Sequence, residues 1–402
     1  MAARYLLLLC MWDAAANASE AGKPQLATDD ALLAQIAALP DNSWMKLPPV
    51  KTAGELSWLS PKNDYRRQGP RIRDYCNKMV WAPERKRALY CGAGHNIHLH
   101  NDVWEYDLAS NTWVCLFAPD PTAHRKRDEN WYQENVVLRN GVIRTPRGAP
   151  LRPAHTWWGL CYDIDRRRLV FWDAHKGLLF TNRKLLAAAL KIDPQSPVLR
   201  GSGSGPGEAW VFEFDPVSKK WLDVIRKVPK AYESSQMEYL SRHKALWLHS
   251  GRTYVQDSKA KTWVPHTKSF NSNGAVSAYD PESDMVVLMV GSKTLVYDCA
   301  NHSWTVTVEN GPDSIHIPRG TFCYDSVAKK FVLFTNTKSQ IESHKGSRMW
   351  LYDLESKTWT NPKPADGCPQ LAGVAGYYDA ARNVTVIYSN HETWVYRAKK
   401  RP

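Results

Sequence analysis

The chain has 402 residues, with 53 Lys and Arg against 40 Asp and Glu, a formal charge of +13. Its 18 Trp and 18 Tyr outnumber 9 Phe, a bias toward aromatics that anchor strands while keeping a polar edge. The basic residues are scattered, apart from short runs at 123–127 and 166–168; this disfavours nucleic acid, which needs a coherent stripe, and favours an acidic carbohydrate as anionic partner.

Residues 1–18 open with Arg4, continue with an apolar core from Tyr5 to Trp12, and end on Ala16-Asn17-Ala18. This is the pattern of a signal peptide with an A-x-A cleavage site, and it predicts a secreted or periplasmic protein. The core is too short to span a bilayer, and no later apolar run has membrane length. A lipid anchor on Cys10 is disfavoured by bulky Leu9 before it. Residues 19–40 are expected to be a helical segment: "DDALLAQIAALP", 29–40, offers Asp29 or Asp30 as a cap and Pro40 as a stop.

From residue 41 onward the chain repeats itself. An Asp stands six residues before a Trp in Asp107/Trp113, Asp215/Trp221, Asp257/Trp263, Asp298/Trp304 and Asp353/Trp359. A second phrase precedes these pairs, at Tyr162-Asp163, Tyr279-Asp280, Tyr324-Asp325 and Tyr378-Asp379, and an apolar run follows each. Degenerate copies begin at Trp81 and Tyr239. The runs are short, β-branched or aromatic, and bounded by turn residues, so they read as strands. Each Asp with its polar followers reads as a tight turn closed by side-chain-to-backbone hydrogen bonds. One unit is therefore four antiparallel strands, which cannot bury both faces without a neighbour.

Five late Trp residues are present, and a sixth unit has its first phrase at Asp379 and its third strand at 393–397 but no late Trp. "DNSWMKLPP", 41–49, supplies the missing strand, with Trp44 in the Trp slot. The expected fold is all-β: a six-bladed β-propeller of four-stranded antiparallel blades over 41–402, its N-terminal strand closing the last blade and removing exposed edges. These phrases resemble the kelch-type propellers, the superfamily that includes galactose-oxidase-like proteins. The kelch Gly-Gly doublet is reduced here to single glycines at Gly92, Gly251 and Gly291. WD dipeptides fall outside the repeated slot, and sialidase-type Asp boxes are absent.

The turns between strands one and two, and three and four, share one end of such a ring and keep the six-residue offset. The other connections carry the insertions, at 92–102, 114–154, 173–208 and 335–348. Long loops clustered on a rigid scaffold are where binding sites are usually built, so the insertion-rich face is the expected site. The 173–208 insertion contains a helix-forming stretch, "NRKLLAAALK", and a flexible "GSGSGPG". In the 114–154 insertion, Trp131 and Tyr132 could stack on sugar rings or pin the loop to the ring.

First strands line the central channel. Residues at their starts, Arg73, Arg152, His155, Glu233, Asn271, His316 and Arg319, are expected near its mouth, where they suit a carboxylate or sulfate. His95, His98, His100 and Asp102 are metal-ligand types within eight residues, although their spacing matches no strong motif and a solvated loop is the commoner outcome. Besides Cys10 there are seven cysteines and no C-x-x-C, which argues against zinc clusters. Cys161 and Cys323 occupy one slot of two repeats and read as buried small hydrophobes; Cys76 and Cys91 could form a disulfide if their strands pair.

The sequence thus predicts an exported, monomeric binding module for an anionic carbohydrate, with no cofactor. A sugar mutarotase or epimerase, a galactose-oxidase-like enzyme, and an interaction scaffold for an envelope protein are the alternatives. An enzyme would show strongly perturbed acid or base groups in one deep pocket.

Overall fold

The computed structural model describes residues 26–401 apart from 61–67, 71, 74–75, 93–99, 122–126, 152, 154–155, 174–181, 200–206, 223–226, 232–234, 257–261, 267–269, 273, 310, 313–319, 336–347, 372 and 390–391. The signal-peptide reading of 1–18 lies outside the described residues.

One turn builds the blades. Asp107 Oδ1 accepts from Ala109 N–H at 3.0 Å, Asp280 Oδ1 from Glu282 N–H at 2.8 Å, and Asp353 Oδ1 from Glu355 N–H at 2.9 Å. The fourth residue after each Asp is left-handed: Asn111 at φ 49°, Asp284 at 60° and Lys357 at 55°. After the turns at Asp107 and Asp353 the next strand then starts one residue before the Trp. This geometry fixes the six-residue offset, because a one-residue slip would send the Trp to the opposite face.

Six such sheets form the ring. Blade one is Val80–Ala82, Arg87–Tyr90, Val103–Asp107 and Thr112–Phe117. Blade two is Leu160–Asp163, Arg168–Asp173, Gly207–Asp215 and Lys220–Trp221; blade three is Gln236–Leu240, Ala245–His249, Thr253–Gln256 and Trp263–Pro265. Blade four is Val276–Asp280, Met285–Val290, Lys293–Asp298 and Ser303–Val308; blade five is Thr321–Asp325, Lys330–Thr335, Arg348–Asp353 and Thr358–Thr360. Blade six is Ala375–Asp379, Val384–Ser389 and Glu392–Arg397, completed by Ser43–Lys46 from the other end of the chain. The first strand of each blade touches those of its two neighbours, blade six meeting blade one.

The closure is antiparallel, from Ser43 opposite Arg397 to Lys46 opposite Trp394. It rebuilds the repeated turn from two distant pieces. Asn42 takes the left-handed place at φ 50°. Tyr396 Oη donates to Asn42 Oδ1 at 2.8 Å, just as Tyr106 Oη donates to Asn111 Oδ1 at 2.7 Å. Asn is favoured there because its short polar side chain tolerates the left-handed region.

The late Trp of each blade packs backward onto the preceding one. Trp113 meets Tyr388 of blade six with ring centroids 4.9 Å apart, Trp221 meets Phe117 of blade one at 6.4 Å, and Trp44 meets Phe334 of blade five at 5.7 Å. Trp263 shares a core with Trp172 of blade two. Trp304 Nε1 donates to Thr253 Oγ1 at 2.8 Å and Trp359 Nε1 to Thr294 Oγ1 at 2.9 Å. The repeated Trp is therefore the adhesive between blades, which explains its recurrence in a stack whose units cannot bury both faces alone.

The sequence did not anticipate two additions. Lys51–Gly54 runs parallel to Thr112–Phe117 as a fifth strand on blade one, and Lys227–Ala231 pairs with the start of Gly207–Asp215. The N-terminal segment thus grips blade six and blade one in turn. Helix α1, Asp30–Ala38, sits over this seam: Asp29 Oδ1 caps Leu32 N–H at 3.0 Å, and Arg397 Nη2 donates to the Ile36 carbonyl at 2.6 Å.

The insertions of blades one and two fold together. Helix α2, Glu129–Asn135, packs on helix α3, Arg183–Leu190, beside a hairpin of Val137–Arg139 and Val142–Arg144. Tyr132, Val136, Ile143, Leu151, Leu186 and Leu199 form a separate buried core. Cys76 and Cys91 carry free thiols rather than a disulfide, with Cys76 Sγ directed at the Cys91 carbonyl at 3.1 Å. Cys161 is buried, as its place in an inner strand requires, and Cys323 is partly exposed.

Candidate functional site: an axial funnel on the short-turn face

A cavity of about 350 Å³ lies on the axis of the ring. Each blade contributes the aromatic residue next to the end of its first strand: Trp81, Tyr162, Tyr239, Tyr279, Tyr324 and Tyr378. Ile164, Ser241, Pro281, Ser326 and Ala380, which open the short turns after these strands, form the rim. The mouth is therefore on the end of the ring opposite the long insertions. The repetition that fixes the fold also builds the funnel, because equivalent positions in every blade face the axis.

The tyrosine hydroxyls are committed. Tyr162 donates to Glu84 and Tyr239 to Asp165, each in the first turn of the preceding blade. Tyr279 donates to Asp284 Oδ1 at 2.8 Å, and Tyr378 to Asn383 Oδ1 at 2.7 Å. Burial and the neighbouring carboxylates push the Tyr162, Tyr239 and Tyr279 phenols up, so they stay neutral. What the tyrosines offer a ligand is ring surface. Trp81 is braced by stacking on Tyr377 at 5.7 Å and 13°.

The base is polar. Lys78 Nζ lies 2.6 Å from Glu238 Oε1 and 2.7 Å from the Met237 carbonyl, and 5.7 Å from the centroid of the Trp158 ring. Ser277 Oγ donates to the same Glu238 Oε1 at 2.5 Å, and Trp158 Nε1 holds the Ser277 carbonyl at 2.7 Å. Both bonds to Glu238 fall on Oε1, so among the described residues Oε2 is the carboxylate oxygen left for a ligand. Burial pushes the Glu238 carboxyl up, opposed by the Lys78 ammonium. Cys161 and Cys323 also line the wall; burial pushes the Cys161 thiol well up and that of Cys323 to about 12, so neither is a nucleophile at neutral pH. Aromatic walls over an ammonium, a carboxylate and a hydroxyl can stack a saturated ring and hydrogen-bond its polar edge.

The described residues among those expected from the sequence do not line the funnel. Arg73 is fully buried: Nη2 pairs with Asp102 Oδ2 at 2.7 Å, Nη1 donates to the Gly92 carbonyl at 2.6 Å, and the guanidinium covers the Tyr90 ring. It holds the edge of blade one and presents no charge to solvent. Asp102 Oδ2 accepts in this pairing and also from Trp104 Nε1 at 2.6 Å, which ties the carboxylate into the core. His100 lies 5.7 Å from the Trp58 ring, while His95 and His98 lie outside the described residues. Tyr132 is buried in the helical cap, its hydroxyl accepting from Asn182 N–H at 3.2 Å, so it pins the insertion. Trp131 is half-buried beside it, with the Arg127 guanidinium 4.9 Å from its ring centroid. Asn271 is exposed. Arg152, His155, Glu233, His316 and Arg319 lie outside the described residues. Among the described residues, no three His, Cys, Asp or Glu side chains are grouped to hold a metal ion.

Sequence reasoning missed Lys78, Glu238 and Ser277. Lys78 and Glu238 are 160 residues apart; Lys78 stands just before the first strand of blade one and Glu238 within that of blade three, and nothing else in the sequence marks them. The aromatic ring is visible in the sequence as the first phrase, where each copy reads as a strand anchor.

No protein-family model matches this chain, and no curated protein matches it. Among solved structures it is similar to a chain in a crystal structure of a nidogen/laminin complex, at 5% identity and a TM-score of 0.40, covering 71% of this chain and 78% of that one.

Proposed function

We propose that this chain is an exported, kelch-type propeller that acts as a binding module, and that its ligand is an anionic carbohydrate seated in the axial funnel. The observation that carries this reading is the ring of six aromatic side chains, one per blade, above the Lys78–Glu238–Ser277 base. Aromatic faces pack on the apolar faces of sugar rings, while the base supplies an ammonium for a carboxylate or sulfate and an oxygen for a hydroxyl. The charge of +13 favours an anionic ligand at long range. The repeated Tyr-Asp and Asp-x5-Trp phrases support the kelch-type assignment, and the pattern of residues 1–18 supports export.

Calorimetric titration with uronate-containing oligosaccharides tests the reading. The parent protein should bind, and Trp81→Ala should weaken binding at least about tenfold, equivalent to about 1.4 kcal/mol. Absence of binding across acidic sugars, or equal binding by Trp81→Ala, would overturn it.

A second reading has one observation in its favour. Glu238 is a buried carboxyl with a raised pKa inside the cavity, the signature of a general acid or base. A sugar mutarotase would use it to move protons between the anomeric hydroxyl and the ring oxygen as the ring opens and recloses, and an epimerase to remove and return the proton of a carbon next to a carbonyl. Magnetisation exchange between sugar anomers, accelerated by the parent and not by Glu238→Gln, would support that activity; equal rates with and without protein would exclude it.

A further inference from the structure

The left-handed residue of each short turn is a second, independent pattern. Among the described residues, eleven blade turns place a residue other than glycine at φ between 49° and 60° or nearby: Asn42, Asn111, Asp284, His302, Asn383 and six cations. The cations are Lys86, Arg167, Lys219, Lys244, Lys329 and Lys357. Asn and Asp relieve this backbone region through local hydrogen bonds, and Lys and Arg do not. Backbone geometry therefore gives no reason for the six cations.

All six are exposed, and all stand on the face that carries the funnel mouth, because both kinds of short turn open there. Lys86, Arg167, Lys244 and Lys329 belong to first turns and surround the rim; Lys219 and Lys357 belong to the outer turns. The acids on the inner turns of blades one and two are engaged, Glu84 accepting from Tyr162 and Asp165 from Tyr239, and Glu282 on the inner turn of blade four pairs with Lys329 at 2.8 Å. The turns thus place a crown of positive charge on blades one, two, three and five, with Lys329 paired to Glu282 of blade four, around a mouth too small for more than about one or two rings.

Resting on the reading of the funnel as a sugar site, we infer that the ligand is an extended polyanionic glycan: one residue enters the funnel while the chain on either side crosses the cationic crown. Charges repeated along a chain match cations repeated around a ring, and each contact releases a counterion, so affinity rises with chain length and falls with salt.

The test uses size-defined, sulfated heparin oligosaccharides, from disaccharide to dodecasaccharide, titrated at several salt concentrations. The triple variant K86A/R167A/K244A keeps the funnel intact. The parent should bind the dodecasaccharide at least about tenfold more tightly than the disaccharide, and the triple variant should lose that gain. Its slope of log affinity against log salt should be flatter by about two to three. Disaccharide binding should be nearly unchanged in the triple variant and lost in Trp81→Ala. Equal affinity for all lengths, or an unchanged salt slope in the variant, overturns the crown and leaves the funnel reading standing. A length-dependent, salt-dependent affinity untouched by Trp81→Ala overturns the funnel reading and supports the crown. Equal or tighter binding to phosphatidylserine vesicles or duplex DNA overturns a glycan as the polyanion.

Discussion

Replacing Trp44 by Ala should cost more than a buried aromatic alone explains. Trp44 is 6% exposed and belongs to a core that spans blades five and six with Val332, Phe334, Met349 and Ile387. Its ring lies 5.7 Å from Phe334 and 4.9 Å from Tyr396. Removing a Trp from such a site loses about 3–5 kcal/mol through transfer and cavity terms, against a total stability of about 5–15 kcal/mol for a domain. Ser43–Lys46 has no turn joining it to Glu392–Arg397, so the packing of Trp44 also opposes the entropy of closing a ring between distant segments. Denaturation in guanidinium should show the loss, and native-state hydrogen exchange should place it: amides of Glu392–Arg397 should open well before those of Val286–Leu288 in blade four. A loss below about 1 kcal/mol, or unchanged protection of Glu392–Arg397, would refute the claim that this strand closes the ring.

Lys78→Met should destabilise the protein by about 3–5 kcal/mol at neutral pH, because it leaves Glu238 buried without its ammonium. Since the Glu238 carboxyl is raised in the folded state, the parent loses stability as pH rises from the unfolded value through the folded one; the loss in Lys78→Met should therefore shrink as pH falls, and Glu238→Gln should flatten the parent's slope. Urea titrations between pH 4 and 8 check both. His249 is held neutral between Phe270, 4.3 Å away, and Thr253 Oγ1 at 3.0 Å, and burial lowers it from 6.5 to about 3. The unfolded chain takes up that proton first, so stability is lost as pH falls below 6.5; thermal melts of His249→Phe should show a shallower acid slope, the difference reaching on the order of 4 kcal/mol near pH 3. Tyr132→Phe removes the acceptor of Asn182 N–H, and should loosen the helical cap by about 1 kcal/mol in hydrogen exchange while leaving ligand affinity in the funnel unchanged.

The ring was legible in the sequence because its physics is periodic. An Asp that bonds its own turn, a left-handed fourth residue and a Trp on the sixth recur in register, and Trp44 fits that register although it stands at the opposite end of the chain from blade six. The additions were not legible, because they follow no period: Lys51–Gly54 is a short polar stretch that becomes a strand only when the edge of blade one is offered to it. The candidate funnel was not legible for a related reason. Loop length pointed to the insertion face, but Tyr132, Leu186 and Leu199 spend the apolar residues of two insertions on a core of their own. The funnel gives no local signal; it arises when six ordinary strand ends converge, and Lys78 meets Glu238 only after the ring has closed.

The central claim is that the ligand enters from the short-turn face. A crystal structure with a bound acidic oligosaccharide tests it most directly. The account predicts a sugar ring against Trp81 and the inner tyrosines, its polar edge toward Lys78 and Glu238. A ligand seated on the opposite end, against Trp131 and helix α3, with the funnel unaltered, would contradict it.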